Sequence, residues 1–272
     1  MSIFEAIVLG IVQGLTEFLP ISSSGHLVLV PEFAGWDQPS LPFFVLLHAA
    51  TLLALVVYFR RELIETAFGM VRSGPQRRFV WLLALATLPA AVIGVVFEEW
   101  FEQVFGNPYQ VAIQLIGTGV ILIGAEALTR RKDASDRKEV LTGVKGLTEQ
   151  VSWRAALGVG LAQAAAILPG ISRSGSTISA AMLAGLSRAQ AARFSFLMAI
   201  PILIGTAVFQ VPQLSGDSVG AGALAAGFVS AGISSYLSIA GMVAFLQRRG
   251  LIGFAVYCIA AGGIAATVLG LT

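Results

Sequence analysis

Hydrophobic residues gather along this chain in long runs, not in the short alternation of a strand or the one-sided stripe of a surface helix. Six runs, over residues 41–59, 79–97, 111–128, 194–211, 219–246 and 252–271, have the length and apolarity of membrane-crossing helices, which need roughly 20 such residues. Two further stretches, 3–30 and 153–186, are apolar at their ends and broken in the middle. The first carries Gln13, Glu17, Pro20, Ser22, Ser23, Ser24, Gly25 and His26, and the second carries Gln163, Pro169 and then 172–177, Ser-Arg-Ser-Gly-Ser-Thr. Polar, Gly/Pro-containing breaks at membrane depth survive only where they are buried in protein or line a cavity. Each broken stretch therefore reads as a re-entrant helix–loop–helix hairpin. The predicted fold is an all-α polytopic membrane domain over residues 1–272, with six transmembrane helices and two re-entrant helical hairpins.

The charges test this layout independently. If six runs cross and the broken stretches do not, every Lys and Arg of the 17 except Arg173 falls on one side. That side holds Arg60, Arg130, Lys138, Arg154, Arg188 and Arg249, whereas Glu32, Asp37, Glu98, Glu99, Glu102 and Asp217 fall opposite. Such sorting follows the positive-inside rule and makes the basic side cytoplasmic. Residues 129–150 become a cytoplasmic linker between two pseudo-repeats, 1–128 and 151–272.

The repeat is visible in the residues. Displacing the chain by 150 positions superimposes Ala6 on Ala156, Gly10 on Gly160, Gln13 on Gln163, and Ile21-Ser22-x-Ser24-Gly25 on Ile171-Ser172-x-Ser174-Gly175, without a gap. Each half holds one hairpin and three spans. An odd number of crossings inverts the second half, giving an inverted-topology repeat whose hairpins enter from opposite faces and meet near the midplane.

Composition agrees: 56% of residues are hydrophobic and 12% charged, too few charges to cover a soluble surface. A net charge of +2 gives no reason to expect nucleic acid. The single cysteine, Cys258, rules out an intrachain disulfide. Residues 1–5 lack a basic n-region and a cleavage site, so no signal peptide is expected. The chain contains no Walker-A loop, CxxC or HExxH.

Chemistry concentrates at the two breaks. The C-terminal break has the makings of an anion site: Gly170 and Gly175 allow close backbone approach, and Ser172, Ser174, Ser176 and Thr177 supply hydroxyls. The helix that follows offers free N–H groups, and Arg173 offers a planar fork suited to phosphate. The competing reading is a small-residue helix contact with Arg173 snorkelling, but a lone charge at membrane depth is costly and usually functional. In the N-terminal break Gln13 and Glu17, four residues apart, share one helix face. Glu17 has three readings: a divalent-cation ligand, a general base, or the ion-pair partner of Arg173. His26 lies three and four residues after Ser23 and Ser22, so a Ser–His pair, the minimal activated nucleophile, is within reach. His48 has no comparable neighbours in sequence and reads as a core or supporting residue.

These motifs closely resemble the bacterial undecaprenyl-diphosphatase, or bacitracin-resistance, family over essentially the whole chain. The family's (E/Q)xxxE signature falls on Gln13 and Glu17, and its PGxSRSxxT signature falls on Pro169, Gly170, Ser172, Arg173, Ser174 and Thr177. The resemblance implies an essential histidine at His26 and a candidate nucleophile at Ser23. It also implies hydrolysis of undecaprenyl diphosphate to the monophosphate at the outer face of the cytoplasmic membrane. That reaction recycles the lipid carrier of peptidoglycan synthesis, and a divalent cation, Mg²⁺ or Ca²⁺, is implied. On this reading Glu17, Ser23, His26 and Arg173 are catalytic. Ser22, Ser24, Gly25, Gly170, Ser172, Arg173, Ser174 and Thr177 bind the diphosphate, and Glu17 with Gln13 holds the metal. The expected partners are the lipid substrate and membrane lipids, with oligomeric state open, a homodimer included. The rival reading is a secondary transporter or lipid flippase, because inverted repeats with broken helices are also transporter architecture. A transporter has no need of Ser23 and His26 as nucleophile and base.

Overall fold

The computed structural model describes residues 1–71, 74–97, 107–129, 143–210 and 219–271. Among them the chain is all helix: α1 Ile3–Phe18, α2 Ser23–Ala34, α3 Leu41–Tyr58, α4 Arg60–Val71, α5 Pro75–Val96, α6 Pro108–Thr129, α7 Gly143–Gln150, α8 Trp153–Ala165, α9 Arg173–Leu183, α10 Arg188–Gln210, α11 Ala221–Leu246 and α12 Ile252–Leu271. Six of these are long and apolar enough to span a membrane: Leu41–Tyr58, Pro75–Val96, Pro108–Thr129, Arg188–Val208, Ala221–Leu246 and Ile252–Leu271. They correspond one for one to the six sequence runs, each within a few residues except at the starts of α5 and α10. There Pro75 and the residues from Arg188 add a polar first turn that hydrophobicity alone does not mark. Arg72, Arg130, Arg131, Lys132, Arg137, Lys138, Glu98, Glu99, Glu102 and Asp217 of the charge argument lie outside the described residues, as does the first part of the linker.

Large apolar side chains cover the outside of the bundle: Val208, Trp81, Ile264, Leu237 and Val256 are each at least 60% exposed. Contiguous apolar surface of this kind has no place in water and suits a multi-pass membrane protein. In lipid, apolar contact does little to drive helices together, so close approach of small residues takes its place. The long α1–α11 contact is of this type. A Cβ on Gly10 or Gly14 would collide with Ser230 or Ser234, and Ser234 and Ser238 donate hydroxyl bonds to the α1 carbonyls of Gly10 and Leu15. On the other side of the molecule α8 packs on α5, with Gly160 against the Ala86 carbonyl.

The two broken stretches fold as short helix–turn–helix pairs, α1–α2 and α8–α9, alike in detail. Ser22 caps α2 by accepting from Gly25 N, and Ser172 caps α9 by accepting from Gly175 N. The α8–α9 turn is pinned to α6. Thr118, in the middle of that helix, donates to the Gly170 carbonyl at 2.8 Å and accepts from Ser172 N at 2.9 Å. The α1–α2 turn lies against α12, where the Cys258 Sγ is 3.7 Å from the Pro20 carbonyl.

Two short helices go beyond the predicted elements. Helix α4 follows α3 directly, and α7 occupies the last part of the expected linker, where Leu147 and Thr148 are buried against the bundle.

Candidate active site

The turns of the two helix pairs touch each other. A Cβ on Gly25 would stand 3.2 Å from the Gly170 Cα, and Ser174 Oγ donates to the Leu19 carbonyl at 2.9 Å. A side chain on Gly25 would crowd the Gly170 backbone. Gly170 is doubly constrained: its φ is +92°, and a Cβ there would strike the Val111 carbonyl. The contact brings the N-termini of α2 and α9 together. The first N–H groups of a helix have no partner inside it and carry the positive end of its dipole, so two such ends plus Arg173 converge on one place.

Glu17 is the counter-charge. Its side chain is only 4% exposed, and one carboxylate oxygen takes the Arg173 guanidinium across the turn–turn contact. The other oxygen accepts from Ser23 Oγ at 2.5 Å and from Gln13 Nε2 at 3.0 Å, with His48 Nε2 at 3.9 Å. A carboxylate can only accept, so the bond orients the Ser23 proton toward Glu17. Ser22 adopts a positive φ, +66°, which is uncommon for a residue with a Cβ. Its carbonyl meets His26 Nδ1 at 2.7 Å, and His26 Nε2 meets the Tyr257 hydroxyl at 2.7 Å.

The sequence-derived residues divide into two groups. Ser23, Ser24, His26 and Arg173 are half-buried, as is His48. Gln13, Glu17, Ser22, Ser172 and Ser174 lie buried beneath them. Thr177 is turned into the core, where its hydroxyl meets Ser195 Oγ at 2.6 Å, and Gly170 and Gly25 serve as spacers. The expected Ser23–His26 bond is not among those of the described residues: the serine bonds to Glu17 and the histidine to Ser22 and Tyr257. His48, which the sequence reads as a core or supporting residue, sits beside the Glu17 carboxylate. Tyr257 and Thr118 escape sequence reasoning because each sits within a long apolar span, outside any motif, and meets the site only through a distant element.

From His26 an apolar cavity of about 430 Å³ runs between α2, α6 and α12, past Leu29, Val30, Phe33, Leu115 and Ile264, with Tyr257 at its polar end. Through His26 the polar turn–turn site adjoins this apolar groove.

The model of the bacitracin resistance protein BacA family matches residues 6–264. The chain belongs to that family. It is 40% identical to the undecaprenyl-diphosphatase of Rubrobacter xylanophilus, with 99% of each chain covered. It is 39% identical to that of Pelobacter propionicus, over 99% of this chain and 98% of the relative. Identity to the Moorella thermoacetica protein of the same name is 40% over 94% of each chain. Both signatures of this BacA-family chain thus lie at one place, the contact between its two turns.

Proposed function

We propose that this chain hydrolyses undecaprenyl diphosphate to undecaprenyl phosphate and inorganic phosphate, in the bacterial cytoplasmic membrane with its site facing the periplasm. The observation that carries the reading is the Glu17 carboxylate held between Arg173 and Ser23 at the junction of two helix N-termini. The names of the relatives support the hydrolase over the transporter. In this reading both helix pairs are re-entrant and belong to an inverted repeat, with α1–α2 entering from the periplasm. The sorting of basic residues supports that orientation.

The terminal phosphoryl group lies over Arg173 and the free N–H groups of α2 and α9, which neutralise charge as it shifts from the attacking to the leaving oxygen. Ser23 Oγ attacks the terminal phosphorus while its proton passes to Glu17. The bridging P–O bond breaks, and lipid phosphate departs along the apolar groove that holds the prenyl tail. Glu17 gives the Ser23 proton up to solvent, and water then attacks the phosphoserine phosphorus: Glu17 takes a proton from the water and passes it to Ser23 Oγ as that P–O bond breaks and inorganic phosphate leaves. His48 supports the carboxylate, and His26 serves the leaving side.

A divalent cation fits this set of groups. Hard cations take oxygen ligands, and Mg²⁺ commonly uses one or two carboxylates together with substrate phosphates. Glu17 and the Gln13 Oε1, a buried oxygen with no partner, are the groups that would hold it. Among the described residues no cluster of three or more His, Cys, Asp or Glu forms a self-sufficient cage. Bound there, the ion supplies charge neutralisation to the diphosphate.

The test is phosphate release from C15 or C55 prenyl diphosphate by purified protein in detergent, with and without a chelator. Release without any membrane gradient, lost with the chelator and restored by Mg²⁺ or Ca²⁺, is expected. Absence of release in the presence of either ion overturns the proposal.

A further inference from the structure

We propose that Tyr257 is a positioning residue that locks His26 for work on the leaving lipid phosphate instead of on Ser23. The inference rests on the phosphatase reading. A backbone carbonyl can only accept, so the 2.7 Å contact from the Ser22 carbonyl puts a proton on His26 Nδ1. The neutral ring then has one acceptor, Nε2, and the Tyr257 hydroxyl occupies it at 2.7 Å. The two rings lie stacked, with centroids 5.7 Å apart and an interplanar angle of 9°. Residues 231 positions apart thereby fix both the tautomer and the plane of the imidazole.

The direction of the lock matters. His26 and Tyr257 together form the polar end of the apolar groove, so Nε2 faces the place where head group meets tail. Ser23 needs no help from that nitrogen, because its hydroxyl already donates to Glu17. In the chemical step Nε2 first takes a proton from solvent, releasing the Tyr257 hydroxyl, and the imidazolium then gives that proton to the bridging oxygen as the P–O bond breaks. It is left as the Nδ1–H tautomer that Ser22 and Tyr257 together hold. The Tyr257 hydroxyl would otherwise stand unpaired on a helix facing hydrocarbon, where a phenol normally finds a partner.

Tyr257→Phe removes the hydroxyl and keeps the ring. It should lower kcat about tenfold, the size of one positioned hydrogen bond, with KM for the prenyl diphosphate unchanged and the thermal midpoint nearly so. Tyr257→Leu, which also opens the groove wall, should raise KM as well. The chain has two histidines, so ¹⁵N-histidine labelling gives two imidazoles, assigned by a His48→Gln variant. The His26 Nε2 resonance should move in Tyr257→Phe toward that of an acceptor without a donor, while Nδ1 stays protonated. An unchanged Nε2 resonance, or an unchanged kcat, overturns the proposal. The NMR readout does not depend on turnover, so a wild type that releases no phosphate would defeat the phosphatase reading and leave the lock separately tested.

Discussion

Glu17 is the residue on which the site turns, because a carboxylate this deeply buried must be paired. Removing Arg173 alone leaves that charge uncompensated, a loss of about 3–5 kcal/mol for a buried pair. Arg173→Ala should therefore lower both activity and the thermal midpoint in detergent. The double variant Glu17→Gln/Arg173→Met should recover most of the midpoint and none of the activity. Thermal unfolding beside phosphate release separates the two roles. Ser23→Ala separates nucleophile from spectator: with Ser23 bonded to Glu17, the expected loss in kcat is on the order of 10³-fold or more. A loss under about tenfold would point to water as the attacking group.

Among the elements, the spans were legible because a membrane helix writes its length in apolar residues, and six runs gave six helices. The motif turns were legible for the opposite reason: polar residues inside an apolar stretch need a purpose. Helix α7 was not, since eight residues of mixed polarity carry no such signal. Tyr257 and His48 each gain their meaning from one contact with a distant element, which no local pattern records. The seating of the α8–α9 turn on α6 depends on Gly170, whose positive φ and close α6 neighbours act together. Gly185 shares the positive φ, at +103°, but has open space around it. Gly185→Ala should cost only the strain of an unfavourable backbone, about 1–3 kcal/mol. Gly170→Ala should cost more and also abolish turnover. Equal midpoints and equal rates for the two variants would contradict the close-approach account.

Over the whole molecule, α1 packs on α11 and α8 on α5, so the helix leading into each turn leans on a span from the other half of the sequence. Displaced by 150 positions, Glu17 falls on Ile167, Ser23 on Arg173 and His26 on Ser176. The first turn thus carries the acid and the hydroxyl, and the second carries the cation. Orientation is testable on a Cys258→Ser background, which removes the native thiol. A cysteine at the exposed Asp37 should react with a membrane-impermeant reagent from outside the cell, and one at the exposed Arg248 only after lysis. The most direct measurement is a double-mutant cycle on phosphate release from a prenyl diphosphate, using Glu17→Gln, Arg173→Gln and the pair. Residues acting as one unit are strongly non-additive. Each single variant should lose nearly all kcat/KM, with the double no slower than the slower single. Losses that multiply, or a wild type that releases no phosphate, would contradict a single phosphatase centre shared by the two turns.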